Sequence, residues 1–202
     1  MQHGARPIDE VSRENQVVYL HDAKWADYQR LLRIRGERQH PRITFLEGTI
    51  EIMSPSENHE QIKSLIGCLL EVYLDVFDIE FTITGSWTIK KREKEAGAEP
   101  GESYLFGPSR PHTAPDLAIE VAWSNSGMSK LEVYARLGVR EVWYWRGGVI
   151  EAYVLRAGRY VRAAKSHALP KLDLTQLAKF AARSGTTSQV RRAYRKALTR
   201  NK

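Results

Sequence analysis

Residues 114–130 constrain the fold of this chain more than any other stretch. They read as an apolar strand, a loop of small residues and a helix that opens on a lysine. Counting by twos places Asp116, Ala118, Glu120 and Ala122 on one side of the strand, with Leu117, Ile119, Val121 and Trp123 on the other. The apolar neighbours of Glu120 argue for a central strand, where an unpaired carboxylate is rare. Acids set beside alanines leave room for a metal ion or a phosphate, and they are costly to bury without one. Lys130 is a cation in a first helical turn, where it opposes the helix dipole. The bland alternatives are that Asp116 simply starts the strand and that Glu120 is a solvated edge residue.

A chain of 202 residues suits one domain with short extensions, and 42% hydrophobic content with five Trp supports an ordered core. No apolar run reaches transmembrane length, and the N-terminus lacks the apolar stretch of a signal peptide. The single cysteine, Cys68, excludes an internal disulfide framework and a cysteine-based zinc site, so a reducing cytoplasm is expected. The net charge of +7 is local. From Arg183 onward there are seven Lys or Arg and no acid, and without those seven the basic and acidic residues are equal in number. The basic balance therefore describes a tail and not a groove.

The pattern divides the chain into an N-terminal arm (1–21), one folded domain (22–182) and a basic C-terminal tail (183–202). A first helix is predicted over 22–35, then a hairpin of 42–46 and 49–53 around Glu47-Gly48. Ser54, Pro55 and Glu57 predict a helix start with Ser54 as N-cap, running to about residue 77. Its apolar stripe includes Ile62, Leu65, Ile66, Leu69, Leu70 and Tyr73. His59 lies at the end of that stripe, while Glu60 falls on the wet side with Lys63.

Residues 79–90 read as a strand bent at Gly85, 91–97 as a charged loop and 102–106 as a strand. A helix over 129–137 ends at Gly138, and strands over 140–145, 149–155 and 159–163 form a C-terminal meander. A short helix capped by Asp173 or Thr175 runs to Phe180. Val190, Tyr194, Ala197 and Leu198 recur at helical spacing in the tail, which predicts a surface helix.

Along a strand, Asp116 and Glu120 stand roughly 13 Å apart, too far to share one ion without a bulge. A second ligand would come from a neighbouring strand. If 102–106 pairs antiparallel with 115–123, position 101 falls opposite Glu120; that place is Gly101, and only Glu99 shares its face. Helical spacing puts Lys130 with Val133, Tyr134 and Leu137 on the side that packs back on the sheet. Carboxylates that hold Mg²⁺ and a lysine that steadies a phosphate are the requirements of metal-assisted phosphodiester hydrolysis.

Residues 115–121 (Pro-Asp-Leu-Ala-Ile-Glu-Val) and 130–143, from Lys130 through Tyr134, Gly138 and Glu141 to Trp143, resemble the Uma-two family. The order of these motifs, with 53–60 and Glu99-Pro100, extends the resemblance over about residues 22–182. That family is assigned to the restriction-endonuclease-like, PD-(D/E)XK superfamily. The resemblance implies an α/β (α+β mixed) fold, a mixed sheet flanked by helices, with Mg²⁺ or Mn²⁺ as cofactor and DNA as substrate. It maps the motif acid onto Glu120, the displaced lysine onto Lys130 and a helix-borne metal-binding histidine onto His59.

The family pattern Glu-Pro-Asp is Glu99-Pro100-Gly101 here. Either Glu99 or Asp116 compensates, or this copy binds metal poorly. The expected set is Asp116, Glu120 and Lys130 for catalysis, with His59, Glu99, Asp116 and Glu120 for metal. A homodimer is expected, so that two sites address two strands. The alternative is a nucleic-acid-binding or interaction protein with an impaired site, favoured by Gly101 and the acid-free tail. In a third, purely structural reading, Trp143, Tyr144 and Trp145 serve core and dimer contacts.

Overall fold

The computed structural model describes residues 15–122 and 128–200. In chain order the elements are β1 (Gln16–Leu20), α1 (Trp25–Arg35), β2 (Arg42–Leu46), β3 (Thr49–Ser54), α2 (Glu57–Val76), β4 (Phe81–Ile83), β5 (Ile89–Lys91), β6 (Ala96–Ala98), β7 (Glu102–Phe106) and β8 (Leu117–Val121). They continue with α3 (Lys130–Leu137), β9 (Glu141–Arg146), β10 (Val149–Arg156), β11 (Arg159–Ala163), α4 (Leu174–Ala181) and α5 (Thr187–Arg200). A 3₁₀ turn, Arg92–Lys94, precedes β6.

The strands form two sheets, ordered β1-β3-β2-β6-β5 and β11-β10-β9-β8-β7-β4. β8 and β9 run parallel through the α3 crossover, and the other recorded pairs are antiparallel. The architecture is thus mixed α/β, and the C-terminal meander is present as β9, β10 and β11. No helix among the described residues is long and apolar enough to cross a membrane.

The alternation along β8 sets the layers. Leu117, Ile119 and Val121 face the main core with Ile66, Leu69, Leu70 and Tyr73 of α2 and residues of α4 and α5. Ala118 faces the opposite way, into a cluster with Val133, Tyr134 and Leu137 of α3 and Tyr144. Every residue of β8 is buried, as a strand with neighbours on both edges and helices on both faces must be. Trp143 and Trp145 lie in the main core and Tyr144 in the α3 cluster, so all three aromatics are internal.

Several boundaries differ from the sequence reading. α2 starts at Glu57 and is capped by Ser56, whose hydroxyl accepts from the His59 N–H at 3.3 Å. Ser54 still belongs to β3, where it pairs with Gln16, so the cap moves two residues on. α1 starts at Trp25, with Asp27 accepting the Lys24 N–H at 2.8 Å. The span 79–90 is split between two sheets, breaking at Gly85, where φ is +58°.

The expected charged loop contains a buried strand, Ala96–Ala98. Gly97 in this strand lacks a side chain for a steric reason: a Cβ there would come 2.3 Å from the Tyr28 hydroxyl. The expected arm contributes β1 to the smaller sheet, and the expected tail is largely α5. That helix buries Val190, Tyr194 and Leu198 in the main core. Trp123 and the small-residue loop 124–127 lie outside the described residues.

Candidate active site

Glu120 sits in the middle of the larger sheet with 4% of its surface exposed. β7 pairs antiparallel with β8 in the register Glu102↔Ile119, so the next step along the ladder brings Gly101 opposite Glu120. The Glu120 carboxylate accepts a hydrogen bond from the Tyr134 hydroxyl of α3. Burial, then the adjacent Glu120 charge, pushes the Tyr134 phenol well above its usual pKa and keeps it a donor. Among the described residues no Lys, Arg or His forms an ion pair with Glu120. An acid this deep without a cation carries a desolvation cost of several kcal/mol.

Lys130 stands one helical turn before Tyr134 on the same face of α3, a spacing of about 6 Å between side-chain roots. Its ammonium pairs with Glu51 Oε1 at 2.6 Å and donates to the Thr44 hydroxyl. Thr44 and Glu51 are directly opposite each other in the β2–β3 hairpin. Glu51 also accepts from the Tyr19 hydroxyl at 3.0 Å, which brings β1 to the same place. Helix α3 thus links the two sheets, with Glu120 and Glu51 held by successive turns of it.

Two residues before Thr44, on the same face of β2, lies Arg42, which is 2% exposed. Its NH2 donates to Glu60 Oε1 at 2.6 Å, while Lys63 donates to Glu60 Oε2 at 2.7 Å. The Arg42 Nε and NH1 are buried without a hydrogen-bond partner among the described residues. Glu60 therefore turns toward β2, away from the wholly solvated position expected of it. Burial would raise its carboxyl, but the hydrogen bond from Lys63 and the Arg42 charge hold it below the usual value. A Cβ at Gly101 would meet the Ile119 carbonyl at 2.6 Å and Arg42 NH1 at 3.4 Å. Gly101, opposite Glu120, is therefore bordered by backbone on one side and a guanidinium on the other.

His59 is fully buried, as its place on the α2 stripe predicts. Its Nδ1 lies 3.0 Å from the Asn15 amide nitrogen, and Asn15 Oδ1 accepts the Ser56 N–H at 3.0 Å. That second bond fixes the Asn15 amide, so its NH₂ donates and Nδ1 accepts. Burial, with the charge of Arg42, lowers the His59 pKa to about 4, leaving the ring neutral at pH 7. A neutral ring with Nδ1 accepting carries its proton on Nε2, and that atom has no partner. In this arrangement Nε2 is a hydrogen-bond donor.

The other expected ligands lie elsewhere. Asp116, just before β8, accepts from Arg110 at 2.6 Å and from the Phe106 N–H at 3.0 Å, with Arg140 at 3.2 Å. Glu99 is held by Arg35, by the Thr88 hydroxyl at 2.6 Å and by the Ile43 N–H at 3.0 Å. Both acids are buried and matched by cations and donors. His59, Glu99, Asp116 and Glu120 do not form one cluster, and no three His, Cys, Asp or Glu side chains among the described residues are placed to hold a metal ion. Glu51, Thr44, Tyr134 and Arg42 line the site without having been singled out in sequence. The hint for Glu51 and Arg42 was a charged residue in each strand of an otherwise apolar hairpin.

A model of the Uma2 family, described as "Putative restriction endonuclease", matches residues 25–183 of this chain. No curated protein matches it. A solved structure of a "putative nuclease belonging to DUF820" from Anabaena variabilis ATCC 29413 aligns at 14% identity and a TM-score of 0.47. The alignment covers 80% of this chain and 96% of that one.

Proposed function

The chain belongs to the Uma2 family, and from that premise we propose that it is a divalent-metal-dependent endonuclease acting on DNA, with its centre at Glu120. The observation that carries this reading is the buried Glu120 carboxylate, which among the described residues meets a phenol but no cation. Its donor chemistry fits Mg²⁺ or Mn²⁺, hard ions that accept one or two carboxylates and keep several waters. A bound ion supplies Lewis acidity to the scissile phosphate and lowers the pKa of a coordinated water.

The chain's own residues do the rest. Tyr134 fixes the Glu120 carboxylate by donating to one oxygen and leaves the other for the ion. Lys130, poised on Glu51 and Thr44, turns its ammonium to the phosphate and stabilises the charge that develops there. Asp116 and Glu99 take positioning roles: the first anchors the start of β8 to β7, and the second ties the end of β6 to α1 and β2. A homodimer would present two such centres to the two strands.

Supercoiled plasmid incubated with Mg²⁺ or Mn²⁺ tests this. The wild type should give nicked or linear product only with metal. Glu120→Ala should give none, and Lys130→Met should be slower by roughly 10²–10³. Equal products from wild type and Glu120→Ala, or none from either, removes the nuclease reading.

One observation favours a second reading. The place opposite Glu120 is Gly101, where a side chain would press on the Ile119 carbonyl. A chain with one carboxylate there and exposed basic residues along α5 could bind nucleic acid without cutting it. Metal-independent binding that falls steeply with salt, without cleavage, would support that reading.

A further inference from the structure

The Glu60 carboxylate bridges two cations, one oxygen on Arg42 and the other on Lys63. Two oxygens of a phosphate would make the same pair of contacts. Around Glu60 the donors exceed the acceptors: Arg42 Nε and NH1 and His59 Nε2 are all buried and have no partner among the described residues. Unmet donors of this kind are costly in the folded protein unless a ligand satisfies them.

The bridging carboxylate is also the most solvent-accessible member of the group. The Glu60 side chain is 30% exposed, against 13% for Lys63 and 2% for Arg42. It can therefore swing outward while the cations stay. Gly101 leaves room at this point, since any side chain there would crowd Arg42 NH1 and the Lys63 stem, each 3.4 Å from its Cβ.

We propose that Arg42, Lys63 and His59 form a seat for one phosphate group of a nucleic-acid backbone, in which Glu60 is a resident placeholder that the phosphate displaces. The incoming oxygens take over the two bonds now made to Glu60 and gain the Arg42 and His59 donors. The seat lies on the same β2 face as Thr44, which holds Lys130. It therefore binds a phosphate next to the one presented to Glu120. The proposal rests on the nuclease reading only for the owner of that phosphate.

Binding of a short fluorescein-labelled DNA duplex in EDTA, followed by anisotropy across a salt series, tests it. Arg42→Met should weaken binding roughly tenfold or more, and should lower the slope of log affinity against log salt by about one. Glu60→Gln should tighten binding several-fold more than Glu57→Gln, which removes the same charge from an exposed site one turn away. A purely structural Glu60 would make its variant no tighter than the Glu57 one. That equality overturns the seat, and so does Arg42→Met binding as wild type does. If Arg42→Met does not fold, the two glutamate variants decide alone. Absence of plasmid cleavage alongside tighter binding by Glu60→Gln would fell the nuclease reading and leave the seat standing; cleavage alongside equal binding would do the reverse.

Discussion

At the scale of single residues, charge without compensation is the informative quantity. Glu120 is 4% exposed and, among the described residues, its carboxylate meets a phenol and no cation, whereas Asp116 and Glu99 are each matched by arginine. Glu120→Gln keeps an acceptor for Tyr134 and removes the desolvated charge. In EDTA it should stabilise the protein by about 1–2 kcal/mol, measured by urea denaturation. Saturating Mn²⁺ should raise the melting temperature of the wild type and leave that of the variant unmoved.

His59 gives a second prediction at this scale. Its folded pKa of about 4 lies below the ordinary 6.5, so the unfolded chain binds more protons between those values. Its contribution is fully present above about pH 6.5 and is lost as pH falls toward 4, on the order of 3 kcal/mol in total. His59→Gln should flatten that part of the stability–pH curve. A curve unchanged by the substitution would show that the ring titrates normally.

At the scale of elements, pattern and turn chemistry made much of the fold legible. The β2–β3 hairpin follows from Glu47-Gly48, which take φ of +42° and +81° as a tight hairpin turn requires. The antiparallel register of β7 on β8 follows from the turn between them, and α3 lies where a helix over 129–137 was expected, with Ser129 as its cap. β6 was hidden because Ala96, Gly97 and Ala98 have no strand signature of their own; the ring of Tyr28, far away in sequence, leaves no room for a side chain at Gly97. The site was legible in part. Glu120 and His59 were placed by periodicity, but Glu51 and Arg42 belong to it only through the meeting of two sheets, which no local pattern encodes. Gly101 is the element-scale test. Gly101→Asp restores the family acid, yet its Cβ would sit 2.6 Å from the Ile119 carbonyl at the β7–β8 junction. It should destabilise by about 1–3 kcal/mol in urea denaturation, as other overpacked sites do, and should not raise cleavage above that of the wild type.

At the scale of the whole molecule, the family match ends at residue 183, but the core does not. α5 lays Val190, Tyr194 and Leu198 against α2 and α4 while Arg191, Arg192, Arg195 and Lys196 remain outside. Truncation after Arg183 should therefore cost on the order of 5 kcal/mol, comparable to the stability of an ordinary domain, and give insoluble or unfolded protein. A helix dispensable for folding would instead leave the melting transition where it was. Exchanging the exposed basic residues of α5 for Gln probes their charge without touching that core. The same long-range assembly sets α3 between the sheets, with Tyr134 on Glu120 and Lys130 on Glu51. Whether that junction grips a cation is decided most directly by an anomalous-difference map from Mn²⁺-soaked crystals. A peak at roughly 2.0–2.2 Å from a Glu120 carboxylate oxygen is expected. A peak at Asp116 or Glu99 with nothing beside Glu120 would contradict it.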